Sequence, residues 1–132
     1  MRALRRSSGF TLIELMIVMV IITILAGIGL AVYGNSVQSA KEATLRSDLH
    51  GLREAIDQYY ADKNHYPPSL ESLVEDKYIR EVPVDPFTKS PDTWQTTLAE
   101  PEPGNPTAEA GIYNVKSGAE GTALDGTPYS EW

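Results

Sequence analysis

From Phe10 to Val32 the chain runs for 23 residues with one charge, Glu14. An α-helix rises about 1.5 Å per residue, so a helix of this length reaches about 34 Å, enough to cross the hydrocarbon core of a bilayer. A segment this apolar cannot be left in water, and a chain of 132 residues is too short to bury it in a large core. The first requirement on the fold is therefore a long membrane-competent helix at the N-terminal side, with one small domain beyond it. The flanking charges orient it. Arg2, Arg5 and Arg6 precede the run and no basic residue follows until Lys41, so the positive-inside rule keeps the N-terminus cytoplasmic and exports the rest.

Two details do not fit an ordinary signal anchor. The basic leader ends in Gly9 and the apolar run starts at once with Phe10, so a processing-like junction lies before the apolar stretch, whereas a secretory signal is cut after it. Cleavage at Gly9/Phe10 leaves the apolar segment as the N-terminus of the mature chain. Glu14 is the second detail. A carboxylate costs about 2.5–3.5 kcal/mol at the centre of a membrane helix, and less near an interface. Glu14 lies one turn from the start of the run, so it either rests at headgroup depth or pairs with a cation. The α-amine of Phe10, freed by cleavage, is such a cation at the same depth. Pairing between staggered chains sets an axial register.

The sequence Gly9-Phe10-Thr11-Leu12-Ile13-Glu14, behind a basic leader and before an uninterrupted apolar run, resembles the N-terminus of the type IV pilin-like superfamily. The resemblance implies cleavage after Gly9 by a prepilin peptidase, N-methylation of Phe10, and a role for Glu14 as the carboxylate of assembly. Many members carry a proline late in the apolar run. This chain has none before Pro67, and Gly27 and Gly29 are the weak points of its helix instead.

Beyond the apolar run, Leu45, Leu49, Leu52, Ile56 and Tyr59 step by four, three, four and three, a stripe at helical spacing. Lys41, Glu42, Arg46, Asp48, Arg53, Glu54 and Asp57 are expected mostly on the other faces. A close helix contact would explain Gly51 within the stripe. Asn64-His65-Tyr66-Pro67-Pro68 ends the pattern. The expectation is one helix from about Phe10 to Lys63, with Tyr59, Tyr60 and Tyr66 as packing anchors around its end. Ser69 reads as the N-cap of a short helix from Leu70 to about Lys77. Tyr78-Ile79 and Val82 to Phe87 read as an extended connection. Trp94 to Leu98 and Ile112 to Val115 read as strands, paired antiparallel across a Pro-, Glu- and Gly-rich loop from Glu100 to Ala110. Two strands need a helix to pack on, and the stripe provides it. The fold class is α+β and pilin-like: leader 1–9, membrane half of the helix 10–33, amphipathic half 34–64, and an α/β head 65–132.

The segment Ile79 to Phe87, with its Pro-Val-Asp-Pro-Phe run, and the segment from Tyr113 through Ser117-Gly118 to the last aromatic also resemble the major pseudopilins of type II secretion. In the residues themselves, Ser117 to Trp132 reads as a tight loop anchored by Tyr129 and Trp132. Members of that family hold a calcium ion in the corresponding loop. The resemblance implies Asp125 first and Glu120 second as ligands, and the alternative is an Asp125-Gly126 turn with solvated acids.

Composition narrows the function. The net charge of −7 falls to −10 once the leader's arginines are removed, which makes the chain a poor nucleic-acid binder. With no cysteine, the C-terminal disulfide of many type IV pilins is impossible here, as is thiolate chemistry. His50 and His65 are the only histidines, and no catalytic or phosphate-binding motif occurs. The expected role is structural. A single-pass inner-membrane protein with its head in the periplasm would polymerise into a helical filament for type II secretion. The resemblance supplies its partners: copies of itself, the prepilin peptidase, an inner-membrane platform, a cytoplasmic ATPase and minor pseudopilins. Two rivals remain at this point, a surface type IV pilin and a membrane-anchored binding module that never polymerises.

Overall fold

In a computed structural model the described residues are 8–101, 104 and 110–132. Most of the leader, and most of the Glu100–Ala110 loop, lie outside them. The elements in chain order are α1 (Leu12–Lys63), α2 (Leu70–Glu75), β1 (Gln95–Leu98), β2 (Ile112–Lys116) and a 3-10 turn at Tyr129–Glu131. The chain divides into two compact units, one up to Val37 and one from Gln38 to Trp132, and α1 contributes residues to both.

In the first unit α1 begins two residues later than Phe10 because Thr11 closes its end. The Glu14 amide donates to Thr11 Oγ1 at 3.3 Å, and the Leu15 amide donates to the Thr11 carbonyl at 3.1 Å. Thr11-Leu-Ile-Glu14 has the spacing of a capping box, in which the first-turn amides that lack helical partners are met by the cap side chain. Gly27 and Gly29 do not interrupt the helix.

In the second unit the stripe behaves as its spacing predicts. Leu45, Leu49, Leu52, Ile56 and Tyr59 are buried, and they share one core with Leu70 and Leu73 of α2, Trp94, Ile112 and Val115 of the hairpin, and Ala119, Ala123 and Tyr129 of the last loop. Gly51 is exposed with open space where a Cβ would stand, so a close helix contact does not account for it. α1 stops at Lys63 because Asn64 turns left-handed (φ 58°), a conformation Asn tolerates well, and its amide still reaches the Tyr60 carbonyl at 2.8 Å. Around this end Tyr60 packs on Tyr66 with ring centroids 4.4 Å apart, and Tyr59 on Tyr78 at 5.4 Å.

Ser69 caps α2 as expected: its backbone is extended and its hydroxyl accepts from the Ser72 amide at 3.3 Å. The helix ends at Glu75 rather than near Lys77, because Lys77 adopts φ 64° and the Tyr78 amide folds back to the Leu73 carbonyl at 2.9 Å. β1 and β2 pair antiparallel, with Gln95 opposite Lys116 and Leu98 opposite Ile112, and a bulge at Thr97/Leu98. β1 is exposed along its length, and the buried residue is Trp94 just before it, whose indole donates to the Pro83 carbonyl at 2.8 Å. The hairpin is tied back to the end of α1 by the Ile112 amide, which donates to the Pro67 carbonyl at 2.8 Å. At Gly111 the backbone passes so near Tyr66 that a Cβ would lie 2.5 Å from its carbonyl oxygen.

Candidate functional site

The residues expected to serve in processing and assembly, Gly9, Phe10 and Glu14, lie within six positions of one another in the first unit. Gly9 and Phe10 precede the helix, outside regular structure and exposed, which leaves the peptide bond between them open to an external catalyst. Glu14 is exposed in the first turn of α1, one turn from Phe10, where the partial positive charge of the helix N-terminus favours a carboxylate. Among the described residues it has no cation within ion-pair distance, the one such pair being Lys63–Asp76. The helix that follows is apolar on every side rather than along one stripe. Leu12, Val18 and Leu30 are 78%, 42% and 74% exposed, and the most apolar stretch has a mean hydropathy of 2.9 with none of it buried. Length and composition are those of a membrane-crossing helix. This surface needs lipid or other helices to cover it.

The loop from Ser117 to Trp132 is ordered by its own turns. Asp125 Oδ1 accepts from the Thr127 amide at 3.0 Å and from Thr127 Oγ1 at 2.6 Å. Those bonds, followed by the charge of Arg46, hold its carboxyl below the usual carboxylate range. Asp125 and Glu120 are both exposed. Among the described residues no three acidic or histidine side chains converge as a metal-binding group. Tyr129 is buried, stacked on Phe87 with centroids 4.3 Å apart, and Trp132 meets it edge-on at 5.3 Å. Trp132 is half-buried and lies beneath the Arg46 guanidinium, 4.3 Å from the ring centroid.

Three polar residues carry more of this architecture than their place in the sequence suggests. Glu42, expected on a solvated face, is only 5% exposed. It stands three residues before Leu45 and so prolongs the apolar stripe by one position, a signal that residue type conceals. Asp85 is fully buried in the Pro-Val-Asp-Pro-Phe turn, with Oδ1 accepting from the Phe87 amide at 2.8 Å and Oδ2 from Ser117 Oγ at 2.7 Å. Its charge, after burial itself, pushes the Asp48 carboxyl upward. Arg53 donates from Nε to Asn114 Oδ1 at 3.0 Å and from Nη2 to the backbone oxygens of Val115 and Trp132, each at 2.9 Å, joining α1 to β2 and to the last loop. His50 is exposed, as a surface histidine was expected to be.

This arrangement, an all-round apolar helix leading into a stripe, a hairpin and a pinned loop, has close relatives by sequence. The family model described as Type II secretion system (T2SS), protein G matches residues 32–127, well over half of the chain. The chain belongs to the type II secretion system protein G family. Residues 4–30 match a second model, the prokaryotic N-terminal methylation motif, which spans Gly9, Phe10 and Glu14. The chain is 38% identical over 104 residues to the type II secretion system core protein G of Escherichia coli K12, covering 66% of this chain and 71% of that protein. It is 34% identical over 99 residues to the core protein G of Pseudomonas aeruginosa, covering 63% and 70%, and 32% identical over 102 residues to that of Vibrio cholerae, covering 66% and 70%. No solved structure matches the fold significantly. Within the protein G family, then, the Pro-x-Asp-Pro turn and the last loop as far as Thr127 fall inside the matched segment, and Gly9 and Phe10 fall inside the methylation motif.

Proposed function

We propose that the chain is a structural subunit of the periplasmic pseudopilus that drives type II protein secretion. The observation that carries this reading is the protein G family match over residues 32–127, on a chain whose preceding helix exposes apolar side chains all round. Subunits wait in the inner membrane with the head in the periplasm. A prepilin peptidase cuts after Gly9 and methylates the amine of Phe10. The subunits are then lifted into a helical fibre whose dry core is built from the segment Phe10–Val32. A fibre core is chemically close to a bilayer, so the transfer costs little hydrophobic energy. Glu14 is the polar group that transfer must satisfy, and the Phe10 amine of a neighbouring copy is the cation at matching depth. A cytoplasmic ATPase working through an inner-membrane platform supplies the energy, and minor pseudopilins share the fibre. The chain acts mechanically, pushing folded cargo outward, and catalyses nothing itself.

The test is a clean deletion of the gene, scored both for exported proteins in the medium and for filaments on the cell surface. Loss of export with surface filaments intact is the expected result. Loss of surface filaments with export intact would overturn it in favour of a type IV pilin, and no change in either would favour a membrane-anchored module that never polymerises.

A further inference from the structure

The last loop is the part of the head where a relative of this architecture is expected to hold a cation, and the donors in this chain point the other way. A calcium site needs about six to eight oxygen atoms turned inward. Here the Ala123 carbonyl is taken by the Gly126 amide at 2.9 Å, the Thr127 carbonyl by the Ala123 amide at 2.7 Å, and the Gly121 carbonyl by the Tyr129 amide at 3.2 Å. Asp125 Oδ1 is already doubly bonded by Thr127. The concave side of the loop lined by Gln95, Ser117, Pro128 and Ser130 carries one carboxylate, Glu120. These residues do not fit a calcium cage.

Instead the loop presents hydrogen-bond donors inward, and an anion fills them. Glu42 Oε1 accepts from the Leu124 amide at 2.9 Å, from the Tyr129 hydroxyl at 2.9 Å and from Gln38 Nε2 at 3.2 Å. Gln38, one turn before it on α1, also donates to the Thr122 carbonyl at 3.3 Å and to the Tyr129 hydroxyl at 3.1 Å. Among the described residues no cation lies within ion-pair distance of Glu42, and a buried carboxylate so placed is costly unless its lone pairs are met. Here three donors converge on Oε1, two of them belonging to the loop. The inward-facing Leu124 N–H and Tyr129 O–H are both spent on this carboxylate, an arrangement that suits an anion.

We infer that the Glu42 carboxylate, carried in on α1 and supported by Gln38, closes the C-terminal loop in place of a metal ion, so that the head holds its shape without calcium. The inference concerns the head alone and stands apart from the secretion reading.

The test uses the full chain in detergent micelles, with thermal unfolding and amide hydrogen exchange followed in EDTA and in millimolar CaCl2. The wild type is expected to melt at the same temperature in both, with unchanged protection at Leu124 and Tyr129. Glu42→Ala is expected to speed exchange at these amides about tenfold or more in either solution, the loss of a charge-assisted hydrogen bond. Glu42→Gln, which keeps an acceptor oxygen, should fall between. A wild type stabilised by CaCl2, or a Glu42→Ala chain with unchanged loop protection, would overturn the inference. Where Glu42→Ala does not fold, the wild-type comparison and Tyr129→Phe, which deletes one donor and keeps the ring, decide it. Faster exchange at Leu124 in Tyr129→Phe supports the inference, and unchanged exchange counts against it.

Discussion

Single residues in this head are worth most where they satisfy several donors at once. Asp85 is the clearest case. Its carboxylate sits at 0% exposure and receives the Phe87 amide, the Thr88 amide at 3.3 Å and the Ser117 hydroxyl. Ser117 Oγ in turn accepts from the Ala119 amide at 3.1 Å, so one acid orders both the turn before the hairpin and the start of the last loop. Replacing it by alanine strands two amides and a hydroxyl away from water. Asp85→Ala should therefore lose about 3 kcal/mol or more of stability, read as a lowered urea midpoint, while Ser117→Ala should lose about 1 kcal/mol. Equal midpoints for Asp85→Ala and wild type would show that water reaches the turn. Asp85 was visible in the sequence as part of Pro-x-Asp-Pro. Its partner Ser117, 32 residues away, was not.

Elements here are placed by short tethers between them rather than by broad sheets. A two-stranded hairpin is marginal alone. It is held by Val115 and Ile112 in the core, by the Arg53 guanidinium across its backbone, and by a tight passage at Gly118. A Cβ at Gly118 would stand 1.9 Å from the Thr93 carbonyl oxygen, a backbone atom that cannot swing aside. Gly118→Ala should thus cost about 1–3 kcal/mol and lower the melting temperature, the penalty of overpacking. The same substitution at Gly51, where nothing lies within 4 Å, should be neutral or slightly stabilising through helix propensity. Similar melting temperatures for the two variants would count against the Gly118 contact.

At the scale of the whole molecule the two units answer to different surroundings. The first, up to Val37, exposes its apolar side chains and has no buried core among the described residues; the second, from Gln38, carries a core that α1, α2, the hairpin and the last loop share. Stability of the head and assembly of the fibre should accordingly separate on mutation. Glu14→Ala should leave the chain processed, membrane-resident and as stable as wild type in its head, while its yield of cross-linkable fibre falls about tenfold, the loss of one charge-assisted contact in a dry bundle. Fibre yield equal to wild type would remove Glu14 from the assembly mechanism.

Hydropathy and spacing alone determined the long helix, its stop at Asn64-His65-Tyr66-Pro67-Pro68, the cap at Ser69 and the two strands, because each rests on local rules of period, capping and chain stiffness. Glu14 was equally conspicuous, since an apolar run leaves any polar residue visible, and its role in assembly and that of Gly9/Phe10 in processing stand as proposals. Only the tertiary structure decided what Glu42, Asp85 and Arg53 do. Glu42 sits at a stripe position that its charge disguises, and its partners at Leu124 and Tyr129 are 82 and 87 residues away. Whether a buried carboxylate is an error or a fastener depends on which donors the chain brings to it, and those are set by long-range folding rather than by any local pattern.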